Sequence, residues 1–241
     1  VFGKNQIVGQ KFFDNSKGKF LVTTIFGPTI QGEGPLAGTV SMFIRLAKCN
    51  LACSFCDTYF DTGEWMTNGE ILAKLGQRYT DHYTVEGWDL KPGSPVLEDM
   101  ACIITGGEPS LQHLSPLCLD LHKFFRFVQI ESNGIIYPRI PDKTILVVSP
   151  KCMEKEGKAV KYLAPNNQVL QRADALKFVI EEDPNSPYYT IPEWAFEWRK
   201  GKSDRYQREI YISPMNMYNS EPKDARAALV GKNELTLDER S

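Results

Sequence analysis

Cys49, Cys53 and Cys56 lie within eight positions, in the stretch CNLACSFCDT, at the spacing C-x3-C-x2-C. Three readings compete for them. Spacings of four and three residues would put all three on one face of a short helix, where cysteine serves as a small buried hydrophobe. Zinc would want four tetrahedral ligands, usually in two separated pairs, and His82, His113 and His122 form no pair at ligand spacing. An iron-sulfur cluster suits soft thiolates, and cubane clusters normally take four of them. With three grouped, one iron would lack a protein thiolate and stand open to a substrate or cofactor. Of the other thiols, Cys102 lies in a strand-like run, Cys118 in a helix-like run, and Cys152 stands alone, so packing is their expected role.

A second set of polar residues follows apolar runs. ACIIT leads into TGGEP, carrying Thr105, Gly106, Gly107 and Glu108; FVQIES ends in Ser132 and is followed by Asn133; TILVVS ends in Ser149, with Lys151 just beyond. Ligands bind beyond the carboxyl ends of parallel strands, so three such ends in succession describe one shared cavity. Taken singly, each is equally explained by turn chemistry. Upstream, Gln31, Gly32 and Glu33 form a glycine-spaced loop, and Arg45 sits inside the apolar run FIRL. A buried arginine needs a partner, and a guanidinium suits a carboxylate bidentately. That carboxylate could belong to a ligand, or to Glu33 in a structural ion pair.

Positioning these residues requires a regular scaffold. Strand-like runs fall at 20–26, 40–46, 101–105, 127–132, 144–149, 175–180 and 209–213, and helix-like stretches at 68–79, 111–125, 166–174 and 222–230. The strands are nearly continuous in hydrophobicity, as when both faces are buried. Their alternation with helices predicts an α/β fold with a parallel sheet and right-handed crossovers. Pro116 is expected to delay or kink the second helix. Residues 80–99 read as a long connection, and 181–203, crowded with Pro, Trp and charge, as a cover over one end of the sheet.

At 241 residues, a single domain spanning 1–241 is the expectation. The chain is 42% hydrophobic and 24% charged, ample for a sizeable core. A net charge of -2 gives no basic footprint for phosphates, which argues against direct nucleic-acid binding and for a small-molecule substrate. No run approaches the roughly 18 apolar residues of a membrane span. The first residues never build the apolar core of a signal peptide, so a cytoplasmic protein with reduced thiols is predicted.

The cysteine triplet resembles the signature of the radical S-adenosylmethionine (SAM) enzymes, and its surroundings resemble one family, the 7-carboxy-7-deazaguanine synthases. The matching pieces are TIQGEGP (29–35), FIRLAKCNLACSFCDT (43–58), ITGGEPSLQ (104–112), ESNG (131–134), SPK (149–151), LKFVI (176–180) and ISPMN (212–216). The resemblance implies a partial, open (β/α) barrel and a homodimer, with Cys49, Cys53 and Cys56 on a [4Fe-4S] cluster whose open iron chelates SAM. It places Phe55, Gly106, Gly107, Glu108, Ser132, Asn133, Ser149 and Lys151 around SAM, and Thr58 on Mg2+. Gln31, Gly32, Glu33, Arg45 and Thr105 would bind 6-carboxy-5,6,7,8-tetrahydropterin, Arg45 clamping its carboxylate. A radical-mediated ring contraction with loss of ammonia would follow, fed by an external one-electron donor such as flavodoxin. Two stretches depart from the pattern: AKCN lacks the family's glycine before CN, and ISPMN replaces a Gln-Pro-Met turn. Rival classes are a glycyl-radical activase, which would usually show a second cysteine cluster, and a non-catalytic metal-binding module.

Overall fold

The computed structural model describes residues 18–51, 53–56, 58–83, 97, 99–155, 158–201 and 207–215. An eight-stranded sheet dominates them, in the order β10-β9-β6-β5-β4-β2-β1-β3. Its strands are β1 (Lys19–Ile30), β2 (Val40–Leu46), β3 (Glu64–Thr67), β4 (Ala101–Gly106), β5 (Phe127–Ser132), β6 (Ile145–Val148), β9 (Ala175–Ile180) and β10 (Glu209–Pro214). From β2 to β10 all neighbours pair in parallel. The sheet is thus mostly parallel, as expected, with its exception at one edge, where β1 runs antiparallel to both β2 and β3. A short connection of nine residues after β1 cannot make a crossover, so the chain turns back on itself. The strands β7 (Cys152–Lys155) and β8 (Lys158–Tyr162) form a separate antiparallel pair.

Among the described residues four α-helices pack with the sheet: α1 (Asn68–Tyr83), α2 (Ser115–Leu121), α3 (Asn167–Arg172) and α4 (Glu193–Lys200). Thr67 and Glu70 start α1 by a reciprocal capping box: the Thr67 N–H donates to Glu70 Oε2 at 2.7 Å and the Glu70 N–H to Thr67 Oγ1 at 3.2 Å. Asn166 caps α3 through the Gln168 N–H at 2.8 Å. The expected helix over 111–125 shrinks to α2, with Pro116 in its first turn. Gln112 is drawn away to act as a strand partner: its side chain accepts from the Leu21 N–H at 2.8 Å and donates to the Leu21 carbonyl at 3.1 Å. The stretch 181–203 contains α4, and β3, β7 and β8 were also absent from the expected elements. The predicted helix at 222–230 and most of the connection at 80–99 lie outside the described residues.

Both sheet faces are buried, and alternation along the strands sorts the residues. Met42, Ile44, Leu46, Cys102, Ile104, Val128, Ile130, Leu146, Val148, Leu176 and Phe178 join the larger core with residues of all four helices, such as Ile71, Leu117, Val169 and Trp198. Their strand neighbours Phe43, Ala101, Ile103, Ile145, Val147 and Ala175 form a smaller core on the opposite face, with Leu36. Farther along those strands the opposite face turns polar. Arg45, Thr105, Glu131 and Lys177 continue the series begun by Phe43, Ile103, Gln129 and Ala175.

Candidate active site

The loop after β2 carries the three thiols. A turn brings the Cys56 N–H to the Cys53 carbonyl at 3.1 Å. Cys49 is buried, with the Leu51 N–H pointing at its sulfur at 3.4 Å, while Cys53 and Cys56 are partly buried. All the described cysteines are free thiols. Burial pushes the Cys53 thiol up to about 12 against the pull of Lys151, and burial likewise raises Cys49. Thiols so placed hold their protons until a metal displaces them. Among the described residues no three His, Cys, Asp or Glu side chains converge on one ion. A cubane makes no such demand, since each thiolate takes a different iron. The donor set therefore fits a cluster bound through three cysteines. Thr58, buried, closes the loop, its carbonyl 3.5 Å from Cys56 Sγ.

Lys48 and the Gly106-Gly107 pair fix this loop to the sheet. The Gly107 N–H donates to the Leu46 carbonyl at 2.9 Å, and the Glu108 N–H to the Lys48 carbonyl at 2.8 Å. Gly106 has φ +120°, and a Cβ there would overlap the Leu46 backbone, while one on Gly107 would overlap the Lys48 carbonyl. The glycines thus allow close approach of the segment that delivers Cys49. Lys48 itself sits at φ 74°, which accounts for the glycine the family pattern has there, and its ammonium bonds the Asp61 carbonyl.

The polar strand ends do meet. Glu108 is buried; its Oε1 accepts from the Ser110 N–H and the Ser132 hydroxyl, both at 2.8 Å, and its Oε2 from the Asn133 N–H at 2.7 Å. Burial raises its pKa, and these hydrogen bonds oppose the rise. Asn133 Nδ2 donates to Asn50 Oδ1 at 2.7 Å, tying the end of β5 to the cysteine loop. Lys151 Nζ donates to the Ser149 carbonyl at 2.8 Å and hydroxyl at 2.6 Å. Burial lowers the Lys151 pKa and Lys177 adds to the fall, while Glu131, and Cys53 and Cys56 once deprotonated, lie within electrostatic reach and favour its charge.

Beside it lies a cluster that the sequence reading named only in part. Lys177 Nζ bridges Glu33 Oε2 at 2.7 Å and Glu131 Oε2 at 2.9 Å. Gln31 Nε2 donates to Glu131 Oε1 at 3.0 Å, and Gln129 Nε2 to the same oxygen at 3.3 Å. Burial works against the charge on both Glu33 and Lys177, yet Lys177 holds the Glu33 carboxyl below its ordinary value, and Glu131 with Glu33 holds the Lys177 ammonium above its own. Ser213, from the departing ISPMN stretch, also hydrogen-bonds Glu33. Arg45 lies over the Phe26 ring at 5.0 Å. Gly32 is exposed on the loop between Gln31 and Glu33, and Thr105 pairs with Arg45 across β2 and β4. Glu131 and Lys177 were missed, though the signal was that of Arg45: a charge inside an apolar strand. Asn50 gave no comparable signal.

No family model matches the chain. Curated relatives do. A 7-carboxy-7-deazaguanine synthase of Bacillus subtilis is 42% identical over 237 residues, covering 90% of this chain and 86% of the relative. One from Rhodospirillum rubrum is 30% identical over 234 residues, covering 94% and 87%. The chain belongs to the 7-carboxy-7-deazaguanine synthase family. A further synthase, from Rickettsia prowazekii, is 37% identical over 175 residues, covering 73% of this chain and 67% of its own length. The crystal structure of QueE from Escherichia coli superposes with a TM-score of 0.60 at 24% identity, covering 92% of this chain and 96% of that one, so the fold is shared. In this chain Lys151 lies within electrostatic reach of both the thiol loop and the Glu33–Lys177–Glu131 cluster.

Proposed function

We propose that the chain converts 6-carboxy-5,6,7,8-tetrahydropterin to 7-carboxy-7-deazaguanine by ring contraction with loss of ammonia. The carrying observation is the pair of carboxylates, Glu33 and Glu131, bridged by Lys177 within electrostatic reach of Lys151 and thus of the thiol loop. Carboxylates and an amide in a fixed array accept the N–H groups along a pterin edge, and Arg45 on the same sheet face meets the substrate carboxylate. Gln31, Gly32 and Thr105 complete that wall. Once bound, a [4Fe-4S] cluster and SAM would supply the radical chemistry that begins the reaction.

The remaining work belongs to the protein. Cys49, Cys53 and Cys56 would hold the cluster, and Asn50 and Asn133 lock their loop against the sheet. Gly106, Gly107, Glu108, Ser132, Asn133, Ser149 and Lys151 would seat SAM, with Phe55 screening the cluster from water. Thr58 would give one oxygen to Mg2+, a hard ion that prefers oxygen ligands. Lys177 bonds one oxygen of each of Glu33 and Glu131 and so fixes where the two carboxylates present their remaining acceptor oxygens, while its charge holds the Glu33 carboxyl below its ordinary value.

We read the six parallel strands, added in one direction with the helices packed on one face, as a partial, open (β/α) barrel forming one domain over 1–241. A homodimer, a flavodoxin-type electron donor and a cytoplasmic location complete the proposal on family grounds. Among the described residues no helix is long and apolar enough to cross a membrane. The test is an anaerobic reaction of reconstituted protein with SAM, Mg2+, reductant and the pterin, read by mass spectrometry. Formation of 7-carboxy-7-deazaguanine supports the proposal; SAM cleavage without it would refute the substrate assignment.

A further inference from the structure

Glu154 reaches the cysteine loop from outside the main sheet. It lies on β7, and both its carboxylate oxygens accept from the Ser54 N–H, at 3.0 and 2.9 Å, with the Ser54 hydroxyl 3.3 Å from Oε1. The β7–β8 pair is itself held in place. The Leu163 N–H donates to the Lys151 carbonyl at 2.8 Å and the Cys152 N–H to the Tyr188 hydroxyl at 2.7 Å. The buried Tyr188 ring meets Phe55 edge-on at 5.1 Å and Tyr162 at 5.5 Å. Ser54 and Phe55 are the two residues between Cys53 and Cys56. One is gripped by Glu154 and the other by Tyr188.

We infer that Glu154 is a positioning residue for the metal-ligating loop, fixing the Cys53–Cys56 turn through the Ser54 N–H and setting a negative charge beside the cluster. The inference rests on the iron-sulfur reading above. Its consequence for redox chemistry follows from two effects with one sign. An N–H donated to a carboxylate is withheld from a cluster sulfur, and a nearby anion disfavours the added electron. Both push the cluster toward low potential. Lys151, of opposite sign and also near Cys53, sets a limit to that push.

Two variants separate geometry from charge. Glu154→Gln keeps an acceptor for Ser54 and removes the charge; Glu154→Ala removes both. An EPR-monitored redox titration should place the Glu154→Gln cluster at a higher midpoint potential than wild type, with equal iron and sulfide content. In the metal-free chain, the Ser54 amide of Glu154→Ala should exchange with deuterium faster than wild type, while Glu154→Gln stays close to it. On the reconstituted protein, Glu154→Ala should lose its cluster to a chelator about 10-fold faster, the scale of outer-shell effects. An unchanged potential in Glu154→Gln, or unchanged exchange in Glu154→Ala, overturns the inference. Should the wild-type chain assemble no cluster, the iron-sulfur reading itself fails, and the exchange arm still decides whether Glu154 fixes the turn.

Discussion

Lys48 holds a left-handed backbone conformation, at φ 74°, that side chains other than glycine adopt at a cost. Lys48→Gly should therefore stabilise the protein by about 1 kcal/mol, less whatever the bond to the Asp61 carbonyl contributes, as a higher denaturant midpoint would show. A lower midpoint would mean that bond outweighs the strain. Lys177 is the more consequential residue. Replaced by methionine, it leaves Glu33 and Glu131 without the ammonium that bridges them, so the two carboxylates lose their fixed positions in the proposed pterin site. KM for the pterin should rise about 10-fold or more, equivalent to about 1.4 kcal/mol of binding, with smaller loss in Lys177→Arg. Much of this site was legible: the three cysteines and Arg45 stood out by residue type against their surroundings. Glu131 and Lys177 are equally conspicuous in apolar strands, but neither reveals its partner until parallel strands bring residues 33, 131 and 177 together.

Among the elements, strand ends matter most. Gly106→Ala would set a Cβ into the Leu46 backbone at φ +120°, forcing β2 and β4 apart at the root of the cysteine loop. A loss of roughly 2 kcal/mol or more is expected, measurable by denaturant unfolding, together with poorer cluster retention. Beyond α2, His122 bonds Thr144 Oγ1 at 3.0 Å, and burial, helped by Lys143, holds its imidazole near 4 against an ordinary 6.5. Between those values the unfolded chain binds a proton that the folded chain refuses, so stability falls as pH drops from 6.5 toward 4. His122→Gln should flatten the slope of Tm against pH in that window. The parallel strands were legible because each is a short, β-branched, two-sided run. The hairpin β7–β8 was not: CMEK and KAVKY are too polar to mark a strand, and their order comes from packing on Tyr188. Nor could the sequence show that Gln112 would leave its helix to pair with Leu21.

At the scale of the molecule, the sheet divides the labour. One face, covered by the four helices, is core until its strand ends, where Ser132 meets Glu108; the other begins as core and ends polar, where Arg45, Glu131 and Lys177 lie. The cysteine loop, the Glu108 knot and Lys151 stand at the same strand ends, which sets the residues proposed for the cluster beside those proposed for the substrate. That predicts separable failures. In one anaerobic reaction, 5'-deoxyadenosine and 7-carboxy-7-deazaguanine should both be counted, for wild type, Cys53→Ala and Lys177→Met. Wild type should yield the deazapurine, Cys53→Ala neither compound, and Lys177→Met, at subsaturating pterin, 5'-deoxyadenosine with little deazapurine. A wild type that cleaves SAM without making the deazapurine, or a Lys177→Met variant that makes it as well as wild type, would contradict the shared site described above.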